Sequence, residues 1–104
     1  MEKESINENV STQKFNDLLE NKDGVLLDVR TSNEVSQGFI EGAINIDYYS
    51  KTFKTEIAKL DRSKPIFVYS RSGGRSAKTM SILSDMGFIE VYNLLGGYNG
   101  WPYK

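Results

Sequence analysis

Pro65-Ile66-Phe67-Val68-Tyr69-Ser70-Arg71-Ser72-Gly73-Gly74-Arg75-Ser76-Ala77-Lys78 is the stretch on which the reading of this chain turns. Ile66 to Tyr69 is a short apolar run of strand-forming residues behind a proline, which suits a buried parallel strand. Ala77 onward reads as a helix. Ser70 to Arg75 lies between them and carries two glycines and two arginines. A strand that feeds a tight polar loop into a helix is suited to anions: loop N–H groups converge, the helix N-terminus adds partial positive charge, and glycine lets the backbone approach closely. Arg71 and Arg75 add full charges with planar donor forks. The same composition also suits a plain solvated turn, because glycine-rich loops are common and weakly specific.

The flanking sequence alternates short apolar strands with amphipathic helices. Upstream, Ser11 or Thr12 can cap a helix to about Asn21, with Phe15, Leu18 and Leu19 as its apolar stripe. Lys22-Asp23-Gly24 breaks it, and Val25 to Val29 reads as a buried strand. Ser32 to Gly38 reads as a short helix that brings Glu34 within i, i+4 reach of Arg30. Ala43 to Ile46 suits a short strand, and Lys51 to Leu60 a helix with Phe53, Ile57 and Leu60 on one face. Downstream, the helix from Ala77 to Met86 ends at Gly87, Ile89 to Tyr92 is the next strand, and Gly96-Gly97 turns into a helical segment ending near Trp101. Residues 1–10 are polar and expected to be loose, with a short strand around Ile6 to Val10. This alternation predicts one α/β domain over residues 1–104, with a mostly parallel sheet of about five strands and helices on both faces.

Asp28 and Arg30 then fall at the carboxyl end of one strand and Ser70 at the same end of another. That edge is where open parallel sheets bind ligands. Asp28 and Arg30 are candidates for the rim of a pocket around Ser70. The more ordinary reading, preferred here, is that they serve as caps and structural ion pairs.

Composition excludes several functions. A net charge of −1 with 26% charged residues argues against a general nucleic-acid or membrane-surface role. No apolar run approaches the roughly 20 residues of a membrane span. The first residues form no apolar signal region, so a cytoplasmic location is expected. The chain has no cysteine and no histidine. Disulfides, thiolate metal sites and the usual Ser-His pair are therefore absent, and neither a metal nor a cofactor is expected.

Tyr69-Ser70-Arg71-Ser72-Gly73-Gly74-Arg75-Ser76-Ala77 resembles the active-site loop of the rhodanese family, the single-domain sulfurtransferases. Three other segments match in order: Leu27-Asp28-Val29-Arg30, Gly38-Phe39-Ile40-Glu41-Gly42-Ala43-Ile44-Asn45-Ile46 and Leu95-Gly96-Gly97-Tyr98-Asn99-Gly100-Trp101. The resemblance implies a three-layer rhodanese-like sandwich. It also implies that the loop takes a sulfane sulfur from a small anionic donor such as thiosulfate and passes it to cyanide or a thiol. The family carries a cysteine where this chain has Ser70, and similar members often carry a histidine where it has Phe39. Carried onto this sequence, Ser70 is the catalytic position and Arg71, Ser72, Gly73, Gly74, Arg75 and Ser76 bind substrate, with Arg75 gripping oxyanions and Arg71 steering donors. A cysteine at position 70 is expected to be partly exposed there.

A hydroxyl is far less acidic than a thiol and carries no stable sulfane sulfur, and no histidine is present to activate it. The chain as written is therefore expected to bind anions at the loop and to transfer no sulfur. Two origins fit the serine: an engineered or recently inactivated form of an active parent, or a naturally non-catalytic module that binds anions or a protein partner. A phosphatase is a third class. The dual-specificity phosphatases resemble this fold but carry a loop one residue longer, a cradle better sized for a phosphoryl group.

Overall fold

The computed structural model describes residues 5–104. Five strands form one sheet: β1 (Ile6–Val10), β2 (Val25–Asp28), β3 (Ile44–Asn45), β4 (Ile66–Tyr69) and β5 (Glu90–Leu94). Their spatial order is β1-β5-β4-β2-β3, and every neighbouring pair is parallel. β4 is the middle strand, buried at every residue.

The alternation of a strand divides the apolar runs between two cores. Ile66 and Val68 of β4 face one side with Leu27 and Val91, while Phe67 and Tyr69 face the other with Leu26, Tyr92 and Leu94. The first side is covered by α3 (Phe53–Ile57) through Phe53 and Ile57 and by α4 (Gly74–Asp85) through Leu83. The second side is covered by α1 (Thr12–Asn21) through Phe15, whose ring meets Phe67 and Trp101 edge-on at 5.8 and 5.9 Å. Helices therefore lie on both faces of an all-parallel sheet, a three-layer α/β domain.

Several elements differ in extent from the sequence expectation. Ile6–Val10 is paired residue for residue with β5. The expected looseness of residues 1–4 lies outside the described residues. The expected helix from Lys51 to Leu60 shortens to Phe53–Ile57, and the helix after β4 starts at Gly74 rather than Ala77. The second change has a local cause. Gly73 takes a left-handed conformation with φ +104°, which ends the loop early and places Arg75 and Ser76 in the first turn of α4.

Because the strands are parallel, the carboxyl ends of β2, β4 and β5 share one edge. Asp28 is level with Tyr69, and the N–H of Val29 donates to the Tyr69 carbonyl at 3.1 Å. Ser70, Arg30 and the turn after Leu94 therefore emerge together.

Candidate active site

Ser70 follows the last residue of β4, and its side chain turns down into the loop. It is only 1% exposed, which corrects the expectation of a partly exposed position. Its Oγ accepts from the N–H groups of Gly73 and Ser76, each at 3.2 Å, and lies 2.9 Å from Ser76 Oγ. The Ser76 hydroxyl donates to the Gly73 carbonyl at 3.1 Å. With that proton committed, the Ser70 hydroxyl is the donor in the Ser70–Ser76 contact. Two amides and one hydroxyl thus converge on a single side-chain oxygen at the start of α4.

The loop is braced from below and from the side. Asn93, on β5 beside Val68, donates from Nδ2 to Asn9 Oδ1 at 2.9 Å and to the Gly73 carbonyl at 3.4 Å. From the side, the N–H of Tyr98 donates to the Ser70 carbonyl at 2.8 Å and that of Asn99 to the Arg71 carbonyl at 3.0 Å. Gly97 makes this approach possible. A Cβ there would lie 2.5 Å from the backbone of Ser70 and Arg71, and its φ is +58°. In the sequence Gly96-Gly97 reads only as a turn, and nothing local marks it as a buttress. Ser72 and Gly74 are exposed on the outside of the loop. Among the described residues, the N–H groups of Arg71, Ser72, Gly74 and Arg75 have no protein acceptor.

The two loop arginines diverge. Arg75 does not turn into the loop; its Nη1 and Nη2 donate to the two carboxylate oxygens of Glu34 at 2.7 and 2.8 Å. Glu34 sits in α2 (Ser32–Val35), held by a capping box with Thr31. The Arg75 hydrogen bonds hold its carboxyl far below the usual range, at about 2. The expected Arg30–Glu34 pairing is not formed, because Arg30 is taken by Asp28. Arg30 Nε and Nη2 donate to the Asp28 carboxylate at 3.0 and 2.7 Å, and Nη2 also donates to the Gly38 carbonyl at 2.8 Å. Burial disfavours the Arg30 charge, but the Asp28 carboxylate more than offsets it, so its pKa is raised. Asp28 is fully enclosed and its carboxylate is spent on Arg30. Arg30 reaches further: its guanidinium stacks on Tyr98 at 4.5 Å and lines a cleft beside the loop. That cleft has a volume of about 370 Å³, and Arg71, Tyr98, Asn99 and Lys104 form part of its wall.

The site therefore pairs a closed cradle around position 70 with an adjoining polar cleft. Among the described residues there is no cluster of side chains able to hold a metal ion, and no helix long and apolar enough to cross a membrane.

Known proteins are similar to this chain in both sequence and fold. The chain is 29% identical over 96 residues to a sulfurtransferase of Allochromatium vinosum, covering 92% of this chain and 88% of that protein. It is 38% identical over 85 residues to the chloroplastic thiosulfate sulfurtransferase 16 of Arabidopsis thaliana, covering 72% and 71% of the two chains. A tRNA uridine(34) hydroxylase of Pelagibacter ubique is 32% identical over 96 residues; the match takes in 91% of this chain but only 32% of that longer protein. In structure, a rhodanese-like domain protein from Staphylococcus aureus superposes with a TM-score of 0.78 at 27% identity, over 90% of each chain. The Rhodanese-like domain profile matches residues 11–103. A match running from the cap of the first helix to the penultimate residue, on a shared fold, supports one conclusion: the chain belongs to the rhodanese-like domain family.

Proposed function

We propose that this chain is a rhodanese-type sulfurtransferase domain whose loop binds small anionic sulfur donors and which transfers no sulfur while Ser70 occupies the nucleophile's position. The observation that carries the reading is the convergence on Ser70 Oγ of the Gly73 and Ser76 amides, with the Ser76 hydroxyl alongside. Donors arranged in this way stabilise negative charge on the atom at position 70. With sulfur there, the step balances. The thiolate attacks the outer sulfur of thiosulfate, the thiosulfate S–S bond breaks, and sulfite leaves with the electron pair. Cyanide or a thiolate acceptor then takes the outer sulfur from the persulfide, and the protein thiolate is regenerated. Oxygen cannot replace sulfur in the first step, and no cysteine elsewhere can carry the persulfide.

The donor's oxyanion falls to the outer loop, where the Arg71, Ser72, Gly74 and Arg75 amides lack acceptors among the described residues and Arg71 adds charge. Ser70→Cys tests the reading. The expected result is thiocyanate from thiosulfate and cyanide, and one added sulfur by intact mass that a reductant removes, with neither in the Ser70 form. Activity in the Ser70 form, or none in Ser70→Cys, overturns it.

One observation favours a second reading, a naturally non-catalytic anion- or partner-binding module. The Ser70–Ser76–Gly73 network is closed, with each hydroxyl proton placed on an acceptor, so the loop is well fitted to a serine. That reading takes the lead if Ser70→Cys folds, binds thiosulfate and forms no persulfide.

A further inference from the structure

We propose that the cleft beside the loop seats the carboxylate end of an anionic thiol acceptor while sulfur is exchanged at position 70. This rests on the sulfurtransferase reading above and adds a substrate class and a place for its body.

Three observations carry it. The first is an unspent donor. The Arg30 side chain is only 4% exposed, and Nε and Nη2 account for all its hydrogen bonds, to Asp28 and Gly38. Nη1 makes no hydrogen bond among the described residues, and Arg30 lines the cleft. A buried guanidinium with one nitrogen left unpaired, on a residue that lines a cleft, is a preorganised carboxylate site. The flat face of Tyr98, 4.5 Å away, holds it in place.

The second is charge. Arg71 and Lys104 also line the cleft and have no carboxylate partner among the described residues. Glu34 is the one acidic residue in the wall, and Arg75 neutralises it from outside. Asn33, Gln37 and Asn99 supply neutral hydrogen-bonding groups. The cleft therefore selects a negative, hydrogen-bonding ligand.

The third is size and continuity. About 370 Å³ is in the range of small-molecule sites and far more than a compact inorganic donor fills. The ligand therefore has an organic body. Tyr98 and Asn99 in the cleft wall donate to the carbonyls of Ser70 and Arg71, so cleft and loop share one backbone frame. In the transfer, the acceptor thiolate attacks the outer persulfide sulfur, a new S–S bond forms on the acceptor, and the protein thiolate leaves. The acceptor's carboxylate stays on Arg30.

The first test needs no activity. The Ser70 protein is titrated with 3-mercaptopropionate and, separately, with neutral 2-mercaptoethanol, while amide and arginine Nε–H shifts are followed. The anion is expected to move Tyr98, Asn99 and the Arg30 side chain in a saturable way, and the neutral thiol is expected not to. Equal responses to both thiols, no response, or shifts confined to Ser72–Arg75 overturn the proposal. The second test compares 3-mercaptopropionate with cationic cysteamine as acceptors for Ser70→Cys at matched thiolate concentration. The anion is expected to be preferred about tenfold in kcat/KM, and Lys104→Glu to reduce that preference to below threefold. No preference, or one that Lys104→Glu leaves intact, overturns it. Should Ser70→Cys form no thiocyanate with cyanide, the sulfurtransferase reading fails, while the titration still decides whether the cleft binds carboxylates.

Discussion

Arg75 and Glu34, 41 residues apart, form a two-pronged ion pair with bonds of 2.7 and 2.8 Å that fastens α2 to the first turn of α4. Its consequence for the site is that the second loop arginine is neutralised. The positive charge of the loop comes from Arg71, the N-terminus of α4 and the free amides.

Glu34→Gln tests the pair by pH. The Glu34 carboxyl is depressed to about 2 from an ordinary 4.5, so its contribution is full above about pH 4.5 and is lost as pH falls toward 2. Both side chains are partly screened, and the loss at neutral pH is expected to be about 1 kcal/mol. Urea unfolding of the two proteins should show a constant gap above pH 4.5 that closes below it. Freeing Arg75 should also tighten sulfate binding at the loop severalfold, an effect that shrinks with added salt. A gap independent of pH would mean that packing, not charge, holds α2.

Gly97→Ala should loosen the loop. The added Cβ would meet backbone carbonyl groups of Ser70 and Arg71 at 2.5 Å, and φ is +58°. Backbone atoms cannot step aside as a side chain can, and with ψ at −159° the backbone lies in a region nearly confined to glycine, so a loss of about 2–4 kcal/mol is expected from overpacking and backbone strain together. Gly100→Ala is the control: a Cβ there meets nothing within 4 Å. Denaturant midpoints of the two variants should differ accordingly.

Tyr69→Phe removes a buried acceptor. The N–H of Ile40 donates to the Tyr69 hydroxyl at 3.0 Å, and Tyr69 is fully buried. Stranding that N–H is expected to cost about 1–3 kcal/mol by urea unfolding. Amide exchange at Ile40 should quicken more than at Phe67, in the middle of β4.

What was legible in the sequence follows from locality. Ile66–Tyr69 announces itself because burial on both faces demands an unbroken apolar run. The loop announces itself through its glycines. Helical spacing points Glu34 to Arg30, whereas Asp28 claims that guanidinium and Glu34 pairs with Arg75 from across the loop. The roles of Gly97 and Asn93 are set by what lies across the sheet edge, and a one-dimensional pattern carries no sign of either. The depth of Ser70 is hidden from the sequence for the same kind of reason: Gly73 turns the chain within the loop, and α4 begins before Arg75.

The thiol of Ser70→Cys brings the site's opposing effects to one number. Burial raises a thiol pKa, and position 70 is 1% exposed. Against it stand the Gly73 and Ser76 amides and the Ser76 hydroxyl, all within 3.2 Å of the present oxygen, together with the N-terminus of α4. Hydrogen bonds to a charged atom contribute about 1.5–3 kcal/mol each, so the two amides, joined by the Ser76 hydroxyl once it turns from the Gly73 carbonyl to the thiolate, should outweigh desolvation. The thiol is expected to titrate below the ordinary value of about 8.5, read from thiolate ultraviolet absorbance against pH. Adding Ser76→Ala removes one donor and should raise the pKa by about one unit. It should also return the Gly73 carbonyl to its remaining partners, Ala77 N–H and Asn93 Nδ2. A thiol above 8.5 that ignores Ser76→Ala would show that burial dominates and that the cradle serves the serine rather than a sulfur nucleophile.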